Sequence, residues 1–253
     1  MELFSRNSLY WGENAQNLLA AKHVVVFGLG GVGGFCAETL ARAGIGKLTI
    51  VDFDKVSESN INRQIVALHS TIGRSKTELF SERLKDINTQ IELNVLENFC
   101  TEENVSKILS SVGKVDFVAD AIDTMRSKVA LLDFCVKNNI PVISSMGAGN
   151  RIDPTKLYIC DIKDIENKNA PFVSNVIYQL KKRGITEGIE VVASREKPFV
   201  REKISEIEKV ITDEGEQIEF TKITPASTPF VASCAGIFMA YEIVKKIIYG
   251  DKK

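Results

Sequence analysis

The chain has 253 residues, 44% hydrophobic and 26% charged, with a formal net charge of −1. This is enough apolar material for one large or two small cores, and the near-neutral balance excludes a generally basic coat while leaving room for a local basic groove. Five cysteines, Cys36, Cys100, Cys135, Cys160 and Cys234, form no C-x-x-C pair, so neither a zinc site nor a disulfide framework is implied and a reducing cytoplasm is the expected home.

Ser5 to about Leu19 reads as one amphipathic helix, with Leu9, Trp11, Ala15, Leu18 and Leu19 as its apolar positions and Arg6 at its start. No signal-peptide core precedes it, so no export is expected. His23 to Gly28 is a buried parallel strand. Gly28, Gly30 and Gly33, with Gly31 among them, form a G-x-G-x-x-G turn, and Phe35 to Ala43 continues as a helix. Backbone N–H groups at such a turn, and the dipole of the helix behind it, attract phosphate. Leu48 to Asp52 is a second strand whose terminal Asp52 is placed to reach ribose hydroxyls. Up to this residue any Rossmann-type protein would fit.

Asp54, Asn60, Asn62, Arg63, Gln64 and Lys76 then crowd polar groups just beyond a strand end. A hydride-transferring NAD enzyme has no task for them. Attack on an α-phosphate does, because cations must offset the charge that develops on phosphoryl oxygens and leaving pyrophosphate. Arg63 and Lys76 suit that need better than they suit the alternative of solvated surface charges. Lys76 to Ile87 is an amphipathic helix, Ile91 to Leu96 a strand, and Glu102 to Ser111 a helix. Val115 to Ala119 lies in a strand read as running to Asp123, Ser127 to Lys137 is a helix, and Pro141 to Ser145 a strand. The alternation predicts an α/β doubly wound, mostly parallel Rossmann-like sheet.

Gly147 to Thr155 is turn-rich, Tyr158 to Asp161 a short strand, and Pro171 to Arg183 a helix closed by Gly184. Val191 to Arg195 and Ile218 to Phe220 read as short strands around a charged stretch, Arg201 to Glu216, expected as an exposed helix or loop. The apolar run Pro229 to Val244 is too short for a membrane span and contains Glu242; Ala232, Ala235, Gly236 and Ala240 fall on one helical face suited to close packing. The expected organisation is a single nucleotide-binding domain over 1–253, with a nucleotide-binding core at 1–165, a substrate-side insertion at 166–225 and a C-terminal helix at 226–253.

GLGGVGG, DFD, SNINRQ and Lys76 resemble the ubiquitin-activating-type adenylyltransferase superfamily, which includes the activators of ubiquitin-like sulfur carriers. The resemblance implies that Gly28, Gly30, Gly31, Gly33, Asp52, Asp54, Asn60, Arg63, Gln64, Lys76 and Asp123 hold ATP. It further implies that Asp123 holds magnesium, a hard cation suited to carboxylate oxygen. Asp120 and Asp123 could alternatively cap the following helix.

Within the superfamily, FSRNSLYWGENA, GAGNRIDPT, VVASREKP and ASTPFVASCAG are similar to segments of the tRNA threonylcarbamoyladenosine dehydratases, nearly end to end. Two departures are Leu3, where that branch commonly has arginine, and Asn150, where it commonly has glycine. The resemblance implies a homodimer in which Arg6 reaches the partner's ATP site, so that Arg63, Lys76, Asp123 and Arg6 are the catalytic set. It also implies tRNA, through its anticodon loop, as substrate. Candidate tRNA contacts are Lys181, Lys182, Arg183, Arg195 and Lys197, with Arg201 and Lys203 nearby. No cysteine nucleophile is required. The rival reading is activation of a sulfur carrier's C-terminus by the same adenylation. A cysteine-desulfurase sulfur-transfer system stays open as a further partner.

Overall fold

A computed structural model describes residues 3–199, 204–211 and 217–250. Nine strands form two sheets among these residues. The large sheet contains β1 (His23–Phe27), β2 (Lys47–Val51), β3 (Glu92–Leu96), β4 (Phe117–Asp120), β5 (Val142–Ser145), β6 (Leu157–Asp161) and β7 (Glu190–Ser194) in the order β3-β2-β1-β4-β5-β7-β6. All neighbours pair parallel except β6, which closes the edge antiparallel to β7. The chain fills the sheet outward from β1 to β3 and then returns to the other side of β1 with β4. That reversal opens a crevice at the carboxyl ends of β1 and β4, where ligands of doubly wound sheets bind.

Residue alternation along β1 explains the two covering layers. Val24 and Val26 enter one apolar cluster, with α3 (Gly33–Ala43), α4 (Lys76–Ile87) and α8 (Pro229–Tyr249). Val25 and Phe27 enter the other, with α5 (Val105–Ser111), α6 (Met125–Lys137) and α7 (Pro171–Lys182). α8 seats on α3 through the expected small-residue face. A Cβ on Gly236 would lie 2.1 Å from the Val32 carbonyl oxygen, so only glycine permits this approach.

Several expectations shift. The N-terminal helix is two helices, α1 (Ser5–Trp11) and α2 (Glu13–Ala20), because Gly12 at φ +85° breaks the hydrogen-bond ladder. β4 ends at Asp120, so Asp123 lies on the loop beyond it rather than at the strand end. The stretch expected as a helix or loop contains β8 (Ile204–Ile211), paired antiparallel with β9 (Gln217–Thr224) in a separate two-stranded ribbon. Arg201 and Lys203 lie outside the described residues. α7 and β7, expected in an insertion, instead complete the main layers: β7 sits between β5 and β6. No helix among the described residues is long and apolar enough to cross a membrane.

Candidate functional site

The glycine turn is shaped by contacts that tolerate no side chain. Gly28 adopts φ +84°, and a Cβ on Gly33 would lie 1.7 Å from the Gly28 carbonyl oxygen. Gly30 differs: the nearest atom to a Cβ there would be Gln64 Nε2 at 3.8 Å, so its backbone faces open space into which a phosphate can come close. α3 begins at Gly33 and points its N-terminus at this opening.

Asp52 sits immediately after β2 and braces the turn. Its Oδ2 accepts the Leu29 N–H at 2.5 Å and its Oδ1 accepts the Asp54 N–H at 2.8 Å. Burial pushes the Asp52 carboxyl up, opposed by the nearby Lys76 ammonium. The ribose role expected for Asp52 therefore falls on a buried group whose oxygens already hold the backbone, while Asp54 is the more exposed carboxylate. Lys76, at the start of α4 and only 4% exposed, donates from Nζ to Asp54 Oδ2 at 2.7 Å. Its backbone N–H also bonds the Asp54 carbonyl at 3.0 Å.

The SNINRQ segment folds over the same crevice. Asn60 Oδ1 accepts the Ser57 N–H, closing a capping turn, and Asn62 Nδ2 donates to the Ser227 carbonyl at 2.8 Å, tying the segment to the start of α8. Arg63 Nη1 donates to the Ser59 carbonyl and to Asn62 Oδ1. Burial lowers the Arg63 pKa, and the field of Asp123 across the crevice opposes it. Gln64 is buried, and its Oε1 has no hydrogen-bond partner, an acceptor left for a ligand donor. Gly31, Arg63 and Ala232 meet at one point, since a Cβ on Gly31 would approach both side chains at 3.2 Å. Gly28, Gly30, Gly31, Gly33, Asp52, Asp54, Asn60, Arg63, Gln64, Lys76 and Asp123 are thus gathered around one crevice.

Arg6 is not. It is exposed on α1, and its neighbour Asn7 donates to the Arg42 carbonyl at the far end of α3. The 11 residues of α3 separate that point from the glycine turn by about 16 Å. The basic tRNA candidates divide as well. Arg195 and Lys197 follow the carboxyl end of β7, near the crevice side. Lys181, Lys182 and Arg183 close α7, which leads within a few residues into the opposite, amino end of β7. Arg183 is engaged by Glu102 at 2.8 Å and Asp133 at 3.0 Å. Arg195 is engaged by Glu166 at 2.8 Å and lies over the Tyr158 ring. Lys182 lies over the Tyr178 ring, and Lys181 shares a hollow of about 350 Å³ with Lys163 and Lys168.

Sequence reasoning missed three groups. Lys128 and Ser144 form a fully buried cluster with Asp120 beneath the Asp123 loop. The signal for Lys128 was a lysine inside the apolar run of a helix. Arg151, in the GAGNRIDPT segment, is buried and donates to the Gly147 and Gly149 carbonyls, holding that turn closed. Asn150, the departure from glycine, adopts φ +61°, as asparagine tolerates, and gains a bond glycine lacks: its Oδ1 accepts the Ala226 N–H at 2.8 Å. Its carbonyl accepts the Phe199 N–H, so one residue pins both feet of the β8–β9 ribbon. Asp120 caps the loop after β4, accepting the Ile122 N–H at 3.1 Å, rather than the helix.

All five cysteines are free. Burial raises the thiols of Cys36, Cys100, Cys135 and Cys160, that of Cys160 to about 11, so these four hold no ready thiolate.

A phosphate-binding turn at a topological switch point, with Arg63, Lys76 and Asp123 around it, defines a nucleotide-binding α/β protein equipped for chemistry at phosphorus. The sequence profile of the ThiF family matches residues 4–252, and the chain belongs to that family. It is 39% identical over 245 residues to the tRNA threonylcarbamoyladenosine dehydratase of Bacillus subtilis (strain 168), covering 97% of this chain and 94% of that protein. The crystal structure of the E. coli tRNA N6-threonylcarbamoyladenosine dehydratase TcdA in complex with ATP superposes with a TM-score of 0.83 at 31% identity, over 97% of this chain and 93% of that one. Likeness to the sulfur carrier protein ThiS adenylyltransferase of Escherichia coli (strain K12), 34% over 136 residues, spans 54% of this chain and 53% of that protein.

Proposed function

We propose that the protein catalyses the ATP-dependent dehydration of threonylcarbamoyladenosine in tRNA to its cyclic oxazolone form. The observation that carries the reading is a likeness to a dehydratase running through nearly the whole chain, whereas likeness to a carrier activator covers about half of it. The crevice supports the chemistry. A carboxylate is a poor electrophile, so the threonyl carboxylate first attacks the α-phosphate of ATP and expels pyrophosphate, giving an acyl-adenylate. The carbamoyl oxygen then attacks the activated carbonyl carbon, AMP leaves, and the ring closes with net loss of water. Both reacting groups belong to one nucleoside, so holding them in the crevice supplies much of the rate.

Arg63 and Lys76 offset the charge that grows on the phosphoryl oxygens, the N–H groups of the Gly28–Gly33 turn hold the phosphates, and Gln64 Oε1 offers a buried acceptor. Asp123 is the residue suited to magnesium. Among the described residues no group of three or more His, Cys, Asp or Glu side chains is placed to hold a metal ion by itself. When bound, magnesium would add positive charge at the phosphates. The distance of Arg6 from its own crevice supports its supply to the partner subunit in a homodimer. Five free cysteines support residence in the cytoplasm.

The test is pyrophosphate release with three acceptors: tRNA carrying threonylcarbamoyladenosine, the same tRNA without the modification, and a sulfur carrier ending in Gly-Gly. Release is expected only with the modified tRNA. Release with the carrier alone would transfer the assignment to carrier activation.

A further inference from the structure

The cluster beneath the Asp123 loop has no counterpart in the adenylation roles above. Asp120, Lys128 and Ser144 are each completely buried. Lys128 Nζ lies 2.5 Å from Asp120 Oδ2 and 3.0 Å from Ser144 Oγ, and the Ser144 hydroxyl donates to Asp120 Oδ2 at 2.6 Å. The three come from different elements: Asp120 ends β4, Ser144 stands beside it in register on β5, and Lys128 reaches in from the first turns of α6. Asp120 uses its other oxygen to hold the Ile122 N–H. The Ala121 N–H bonds the Phe27 carbonyl at 2.9 Å, and a Cβ on Gly28 would lie 2.9 Å from the Ala121 carbonyl oxygen. The loop 121–124 is therefore clamped between the glycine turn and this cluster, and Asp123 is its outermost carboxylate.

Energetics point the same way. Removing two charges from water costs more than a buried pair commonly returns, so apolar or neutral replacement is often as stable. A fully buried ion pair here is poorly explained by stability and well explained by position. It also neutralises Asp120, leaving Asp123 as the carboxylate that faces Arg63 and the phosphates.

We infer that Lys128, Asp120 and Ser144 are positioning residues that fix the Asp123 loop against the glycine turn for productive binding of magnesium and ATP. The inference rests on the adenylation reading. It is tested with Lys128→Met/Asp120→Asn, which removes both charges while keeping similar volumes and an acceptor for Ile122, and with Ser144→Ala, which leaves the ion pair intact. Three quantities are measured on the full-length protein: melting temperature, ATP affinity by calorimetry with and without magnesium, and kcat and KM for ATP.

The double variant is expected to melt within a few degrees of wild type, to lose most of the affinity that magnesium adds, and to fall in kcat by about 10- to 100-fold. Ser144→Ala is expected to show the same pattern at several-fold. Wild-type magnesium dependence and kcat in either folded variant would overturn the inference, as would losses that vanish once each variant is assayed well below its melting temperature. If the double variant does not fold, Ser144→Ala decides alone. Failure of the wild-type protein to form cyclic product would instead strike the functional reading, and the magnesium-dependent ATP affinities would still decide the role of the cluster.

Discussion

Replacing Gly30 with alanine separates the fold from the site. The added methyl would meet only Gln64 Nε2, at 3.8 Å, and the backbone at Gly30 is outside the positive-φ region that disfavours side chains. Alanine at a compatible position stabilises by about 0.4–1 kcal/mol through the unfolded chain. In a protein of this size that is a rise of roughly 1–4 °C in Tm. The same methyl occupies the opening through which a phosphate must approach the turn. Displacing one charge-assisted hydrogen bond costs about 1.5–3 kcal/mol, a weakening of roughly ten- to a hundredfold in Kd. Gly33→Ala is the contrast: its methyl would lie 1.7 Å from the Gly28 oxygen and 3.0 Å from Ala121 Cβ, so no single shift relieves it. A loss of about 3 kcal/mol or more is expected there. Urea denaturation and ATP calorimetry on both variants provide the test. Wild-type ATP affinity in Gly30→Ala would refute the view that phosphate is bound at this backbone.

Gly236→Ala should push α8 off α3, because its Cβ would fall 2.1 Å from the Val32 oxygen; a loss of about 1–3 kcal/mol in urea denaturation is expected, and unchanged stability would show the contact to be slack. His23, buried, is held neutral: burial lowers its pKa, Nδ1 donates to the Lys114 carbonyl, and Nε2 accepts from Thr49, whose oxygen already accepts from Asn94. Since the folded pKa lies below the unfolded value of about 6.5, its contribution is complete above that pH and is lost as pH falls below it; His23→Gln should flatten the fall of stability as pH drops below about 6.5. An equally steep profile in the variant would assign the dependence to other groups. Arg6→Ala and Asp123→Ala proteins, each inactive alone, should regain part of the activity on subunit exchange; no recovery despite demonstrated exchange would remove Arg6 from a shared site.

The strands and helices around the crevice were legible because their residues carry local signals. Lys76 to Ile87 has an unbroken helical period, and its bounds coincide with α4. Apolar runs bounded by glycine located β1 and β2 to within a residue. Gly12 was passed over because an amphipathic period continues on both sides of it, and only its left-handed φ ends the helix. β8 was missed because it lies in a charged stretch and its apolar residues, Ile204, Ile207, Val210 and Ile211, are spaced as on a helix rather than alternating, whereas its partner β9 supplies the pairing that makes it a strand. At the site, glycine spacing and the SNINRQ cluster pointed to residues that the fold brings to one crevice. The braces behind them were not visible: Asp52 with Leu29, Lys128 with Asp120 and Ser144, and Asn150 with Ala226 join residues that sequence does not place together. The remoteness of Arg6 and the division of the basic residues between two ends of the sheet depend on strand and helix direction. A charge count cannot convey them.

The most direct test is mass analysis of nucleosides from tRNA bearing threonylcarbamoyladenosine, incubated with the protein and ATP and digested under mild conditions that spare an activated ring. The account predicts a nucleoside lighter by one water, formed only with ATP and converted to an adduct by an added amine. Unchanged threonylcarbamoyladenosine, with the same protein adenylating a Gly-Gly-ended carrier, would contradict it.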